Sequence, residues 1–98
     1  MDEPLRIEQG TQPDELTLTG ELDLGTCDQL EAAIAKLRTG GITDVVLDTA
    51  GISFVDSRGL RSMLVALQGG SVALRRPSAQ LLRLLDLTGL QEHLPVVE

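Results

Sequence analysis

Apolar and polar residues alternate in two stretches near the start of the chain. Leu5-Arg6-Ile7-Glu8 is the first; after a turn marked by Gly10 to Asp14 with Pro13, Glu15 to Thr19 is the second. Leu16 and Leu18 fall on one face there, Thr17 and Thr19 on the other. Two period-2 runs joined by a short turn predict an antiparallel strand pair, and Leu22 and Leu24 continue the apolar series past Gly20. The period then lengthens. Leu30, Ala33, Ile34 and Leu37 recur at helical spacing behind Thr26 and Gln29, which stand in the pattern of a capping box. Asp28 and Glu31 lie early in this helix and Lys36 and Arg38 late, as its dipole favours, and Gly40-Gly41 supplies a left-handed stop.

Asp44-Val45-Val46-Leu47-Asp48 is a short apolar run between polar ends, which predicts an interior strand covered on both faces. Ala50 to Asp56 reads as a connector with Ile52 and Phe54 turned into the core. A second helix begins at about Ser57, burying Leu60, Met63, Leu64 and Leu67, and ends at Gly69-Gly70. Ser71 to Leu74 reads as a strand. Pro77-Ser78 starts a third helix with Leu81, Leu82 and Leu85 as its stripe, closed by Gly89. The tail from Leu90 offers a short helix or a strand at Val96-Val97. The order β-β-α-β-α-β-α predicts an α/β fold, with a mixed β-sheet of about four to five strands and helices connecting parallel strands.

With 98 residues the chain holds one domain, spanning 1–98 with its core from about residue 5. Phe54 is the only aromatic residue, so the core is built from Leu, Ile, Val and Ala, and no stacking platform exists for single-stranded nucleic acid. The net charge of −7, from 15 acidic and 8 basic residues, repels phosphate backbones and anionic headgroups. Nucleic acid is therefore not an expected partner. Cys27 is the single cysteine, which rules out an intrachain disulfide and a cysteine-based metal cluster. Met1-Asp2-Glu3-Pro4 lacks the basic and apolar parts of a secretion signal, and no apolar run approaches membrane-helix length. The expected setting is the cytoplasm, without membrane insertion.

Asp56-Ser57-Arg58-Gly59-Leu60 lies between the buried strand and the second helix. First-turn N–H groups and the helix dipole favour a dianionic phosphate on a serine placed there. Arg58 and Arg61 stand within reach of such a phosphate, while Asp23 and Asp56 repel it. Position alone reads Ser57 first as an N-cap, since serine is favoured there for structural reasons. Other chemistry fits poorly. Asp48 ends a strand as a phospho-accepting aspartate does, yet Lys36 is the only lysine and lies in the first helix, so Asp48 reads as a strand-end or turn residue. Ser57 lacks a nucleophile elbow, and the only histidine, His93, lies near the C-terminus and reads as a surface residue. No metal or cofactor is implied, no enzyme is expected, and Cys27 reads as a small packing residue.

Three segments together carry a family resemblance. They are Gly20-Glu21-Leu22-Asp23, Val46-Leu47-Asp48 with Ile52 to Leu60, and Leu85-Asp86-Leu87-Thr88-Gly89-Leu90. In this order they resemble the anti-sigma factor antagonists, single STAS domains (sulphate transporter and anti-sigma antagonist), over nearly the whole chain. The resemblance implies the STAS fold and a partner-switching regulator that binds an anti-sigma factor, usually a serine kinase. It implies phosphorylation at Ser57 that disrupts the complex, a phosphatase that resets it, and Asp23 in the partner surface. With it, the phospho-acceptor reading of Ser57 moves ahead of the bare cap. Glu21, Asp23, Asp56, Arg58, Gly59 and Arg61 are the expected partner-binding residues. Arg58 stands where the family often has a small Ser or Thr, and the segment from the second helix to Ser71 is shorter than usual. An accessory STAS subunit of a phospholipid-transporting ABC system, which binds an ATPase without phosphorylation, is the alternative.

Overall fold

The two alternating runs pair as their pattern requires. In the computed structural model, which describes residues 4–97, β1 (Leu5–Gln9) and β2 (Glu15–Leu22) lie antiparallel, with Leu5 opposite Gly20 and Ile7 opposite Leu18. Residues 1–3, most of the acidic N-terminal tetrapeptide, lie outside the description, as does Glu98. The chain continues through α1 (Cys27–Thr39), β3 (Val45–Val55), α2 (Ser57–Ala66) with a 3-10 turn at Leu67–Gly69, β4 (Val72–Arg75), α3 (Ala79–Thr88) and β5 (Val96–Val97). Strands follow one another in the sheet in chain order, and β2 through β5 are parallel. Each crossover steps one strand the same way, so right-handed connections set the three helices on one face of the sheet.

That face is the core. Leu16, Leu18, Val45, Leu47, Val72 and Leu74 from the strands meet Leu30, Ile34, Leu60, Met63, Leu81 and Leu85 from the helices in one buried cluster. Large apolar groups buried in this way contribute about 1.5–3 kcal/mol each, enough to hold a domain without aromatics. Leu82 departs from the expected stripe and is exposed; Leu84 packs against the core instead. The tail resolves as strand β5.

The opposite face corrects the expectation that the interior strand is covered by helices on both sides. Here Glu15 pairs with Arg75 and Asp48 with Arg76, and both carboxylates are buried by these arginines. Asp48 is accordingly an interior residue of β3 and not a strand end. The connector expected at Ala50 to Asp56 is also part of β3, as far as Val55. Two irregularities allow this: Thr17 and Thr19 pair with Asp48 and Gly51, and Gly20 and Glu21 with Ile52 and Phe54, so β3 carries two extra residues as bulges. Each bulge shifts the in-out alternation. Ile52 and Val55 are buried, whereas Phe54 faces solvent, contrary to its expected place in the core.

The carboxylates on this face make the fold acid-sensitive. Hydrogen bonding from Thr11, aided by the Arg75 charge, holds Glu15 below its ordinary pKa despite burial. Burial alone raises Asp48, but hydrogen bonds from Arg76 and the Ala50 N–H, with the two arginine charges, carry it below its ordinary value. Depressed carboxylate pKa values stabilise the fold above the unfolded-state values, about 4, and that contribution disappears as pH falls through the folded values. The thermal midpoint followed by circular dichroism should hold steady above about pH 5 and drop below about pH 4. Asp48→Asn should be less stable at neutral pH and show a shallower drop.

Candidate partner-binding site

The C-terminal ends of β2 and β3 bring two loops together. Leu22 pairs with Val55 across the strands, and the Asp56 N–H donates to the Leu22 carbonyl (3.2 Å). The β2–α1 loop, with Glu21 and Asp23, thus lies against the entry to α2. In parallel α/β sheets this end of the strands is where binding residues gather.

Asp56 caps α2. Its Oδ1 accepts from the Arg58 and Gly59 N–H groups, both at 2.9 Å, and its carbonyl accepts from the Leu60 N–H (3.0 Å). Ser57 is therefore the first residue inside the helix and not its cap. It is exposed, and its hydroxyl makes no hydrogen bond among the described residues. The first-turn amides expected to receive a phosphate are already taken by the Asp56 carboxylate, so negative charge on Ser57 meets a carboxylate neighbour. Asp56→Ala should lower stability by about 1 kcal/mol, as loss of a helix cap does, with Asp56→Asn retaining most of it in urea denaturation.

The β2–α1 loop is built around Thr26 rather than capped by it. The Thr26 hydroxyl donates to the Glu21 carbonyl (2.8 Å) and accepts from the Asp23 N–H (2.9 Å), leaving no side-chain cap on α1. Gln29, its expected partner in the capping box, instead donates to the Leu5 carbonyl (3.0 Å). Asp23 turns inward within the loop, its Oδ1 accepting from the Gly25 N–H (2.9 Å). Leu24 leaves the apolar series and is 64% exposed.

Of the expected partner residues, Glu21, Arg58 and Arg61 are exposed, and Asp23 and Asp56 are half-buried. Gly59 is buried. A Cβ there would stand 2.2 Å from the Leu22 carbonyl oxygen, so Gly59 lets α2 close on β2 and offers no surface of its own. Arg58 and Arg61 lie across a shallow depression from Leu24, Cys27, Asp28 and Glu31 of the α1 side, with Val65 beside them. Ligand atoms of Cys27, Asp28 and Glu31 lie within 4.8 Å of one another, but the arginines on the same depression oppose a cation there. Phe54, opposite Glu21 in the sheet, is an exposed aromatic that the sequence pattern did not reveal. His93 lies exposed near the C-terminus, as its sequence position suggests.

An exposed serine and charged loops thus stand together beside a shallow depression on an α/β core. The family model described as "Mlab, STAS domain" matches residues 5–98. The anti-sigma-B factor antagonist of Staphylococcus epidermidis is 33% identical over 96% of this chain and 94% of its own length. An anti-sigma factor antagonist from Mycobacterium paratuberculosis superimposes with a TM-score of 0.72 at 26% identity, over 94% of this chain and 82% of that one. The anti-sigma factor antagonist SpoIIAA, in its unphosphorylated form, shares the fold at a TM-score of 0.74 and 20% identity, over 96% and 88%. The chain belongs to the STAS domain family and, within it, groups with the anti-sigma factor antagonists. No helix among the described residues is long and apolar enough to cross a membrane.

Proposed function

We propose that the chain binds an anti-sigma factor of the serine-kinase type and releases it when Ser57 is phosphorylated, with a phosphatase restoring the binding form. A cytoplasmic location goes with that reading. The observation that carries it is the junction of the two loops: an exposed serine with an uncommitted hydroxyl, set by the Asp56 cap beside Glu21 and Asp23. Likeness to the staphylococcal antagonist over nearly the full length of both chains supports the partner class. Glu21, Arg58 and Arg61 supply charge to the face, Asp23 and Asp56 shape its loops, and Gly59 sets the helix that carries it. The relatives lend no support to the transport-subunit alternative.

Affinity capture from the source cells tests this directly. The expected result is an anti-sigma factor with an ATP-binding kinase domain, lost from the capture when Ser57 is phosphorylated. Recovery of an ABC ATPase in its place would refute the reading.

A further inference from the structure

β1 is the terminal strand of the sheet among the described residues, and its register with β2 decides which of its backbone groups stay unpaired. The Gly10 N–H donates to the Glu15 carbonyl (2.8 Å), and the Glu21 N–H to the Pro4 carbonyl (2.7 Å). Hydrogen-bonded and non-hydrogen-bonded pairs alternate along an antiparallel ladder. Pro4, Arg6, Glu8 and Gly10 therefore turn their backbone groups toward β2, while Leu5, Ile7 and Gln9 turn theirs to the free edge. Gln29 of α1 takes the Leu5 carbonyl, and no comparable contact covers Ile7 among the described residues.

Two features flank this edge. On the core side a groove opens between β1 and α1, with Ile7, Leu16, Ala33, Leu37 and Ile42 as its apolar lining and Gln9, Gln29 and Lys36 as its polar lining. On the open face Arg6 and Glu8 stand 67% and 59% exposed, paired only loosely with each other along the strand (3.9 Å). We propose that a second copy of this chain pairs here, β1 against β1, antiparallel and centred on Ile7. Two-fold symmetry makes the contact self-complementary. Ile7 exchanges both outward hydrogen bonds with its counterpart, and the two grooves meet beside the axis, which removes Ile7 from water. Arg6 then faces Glu8 of the second copy twice, in the non-hydrogen-bonded positions where side chains approach closest.

Charge selects this register. The neighbouring registers that use the same outward groups are centred on Arg6 or on Glu8. They set arginine against arginine or glutamate against glutamate, and like charges directly opposed are destabilising. A five-residue strand makes a small interface, so the dimer is weak and concentration-dependent. This proposal does not depend on the reading of Ser57.

Sedimentation equilibrium on the whole chain, from micromolar to millimolar concentration, tests it. Wild type is expected to pass from monomer to dimer. Arg6→Glu and Glu8→Arg should each weaken association about tenfold, because two cross-strand pairs turn from attractive to repulsive. The double variant should recover it, and an equimolar mixture of the two single variants should form a heterodimer. Unchanged circular dichroism and melting confirm that these exposed substitutions leave the fold intact. A wild type that stays monomeric throughout, single reversals without effect, or a double variant that fails to recover would each overturn the proposal.

Discussion

Phosphorylation of Ser57 should weaken binding of the anti-sigma partner about a hundredfold, and Ser57→Asp about tenfold, while Ser57→Ala binds like wild type. The magnitude follows from opposed charge. A like charge placed in an interface costs up to several kcal/mol, and each 1.4 kcal/mol or so is a factor of ten. Aspartate adds one negative charge where the phosphate adds about 1.5 to 2. Local geometry keeps that charge from being absorbed, because the Asp56 carboxylate already occupies the Arg58 and Gly59 amides. Arg58, the next residue, and Arg61, one helical turn on, are the basic residues beside it. Arg58→Ala should therefore deepen the loss on phosphorylation, which titration calorimetry of the modified and unmodified forms will read.

Gly59→Ala should be strongly destabilising. The added Cβ meets the Leu22 carbonyl oxygen at 2.2 Å and the Leu22 Cγ at 2.8 Å. The carbonyl cannot yield easily, since it accepts the Asp56 N–H that joins the two loops. Overpacking in a filled core typically costs 1–3 kcal/mol, and backbone on one side of the clash puts this site at about 3 kcal/mol. For a chain of this size that lowers the melting temperature by roughly 15 °C. Alanine at Arg58, one residue away and exposed, should leave stability nearly unchanged in the same urea titration. The helix of Gly59→Ala moves off β2, so partner binding should fall as well.

The element order was legible because each segment has one dominant period. β1 and β2 alternate strictly, and the helices repeat their leucines at three and four. Two kinds of feature were hidden. A bulge inserts a residue without any fixed composition, so the pairs Asp48–Gly51 and Ile52–Phe54 opposite β2 were invisible, and Phe54 and Asp48 were both misplaced. Long-range contacts also redirected local chemistry. Thr26 and Gln29 have the spacing of a capping box, but Thr26 bonds to the Glu21 carbonyl and Gln29 to the Leu5 carbonyl.

The candidate site was legible as a place more than as a geometry. Asp56 and Ser57 are both good caps, and sequence alone does not decide between neighbours one residue apart. Asp56 takes the cap and leaves the Ser57 hydroxyl free, which separates the structural duty from the proposed chemical one. In the sequence the acid side of the depression, Asp28 and Glu31, reads only as dipole complement in α1. Its position across from Arg58 and Arg61 depends on how α1 packs on α2.

The most direct test of the central claim is to incubate the chain with its captured partner and ATP. The phosphate is then mapped by mass spectrometry while complex formation is followed in the same sample. The account predicts a single phosphate on Ser57 and loss of the complex in step with its appearance. A phosphate on another residue, or none while the complex persists, would contradict it.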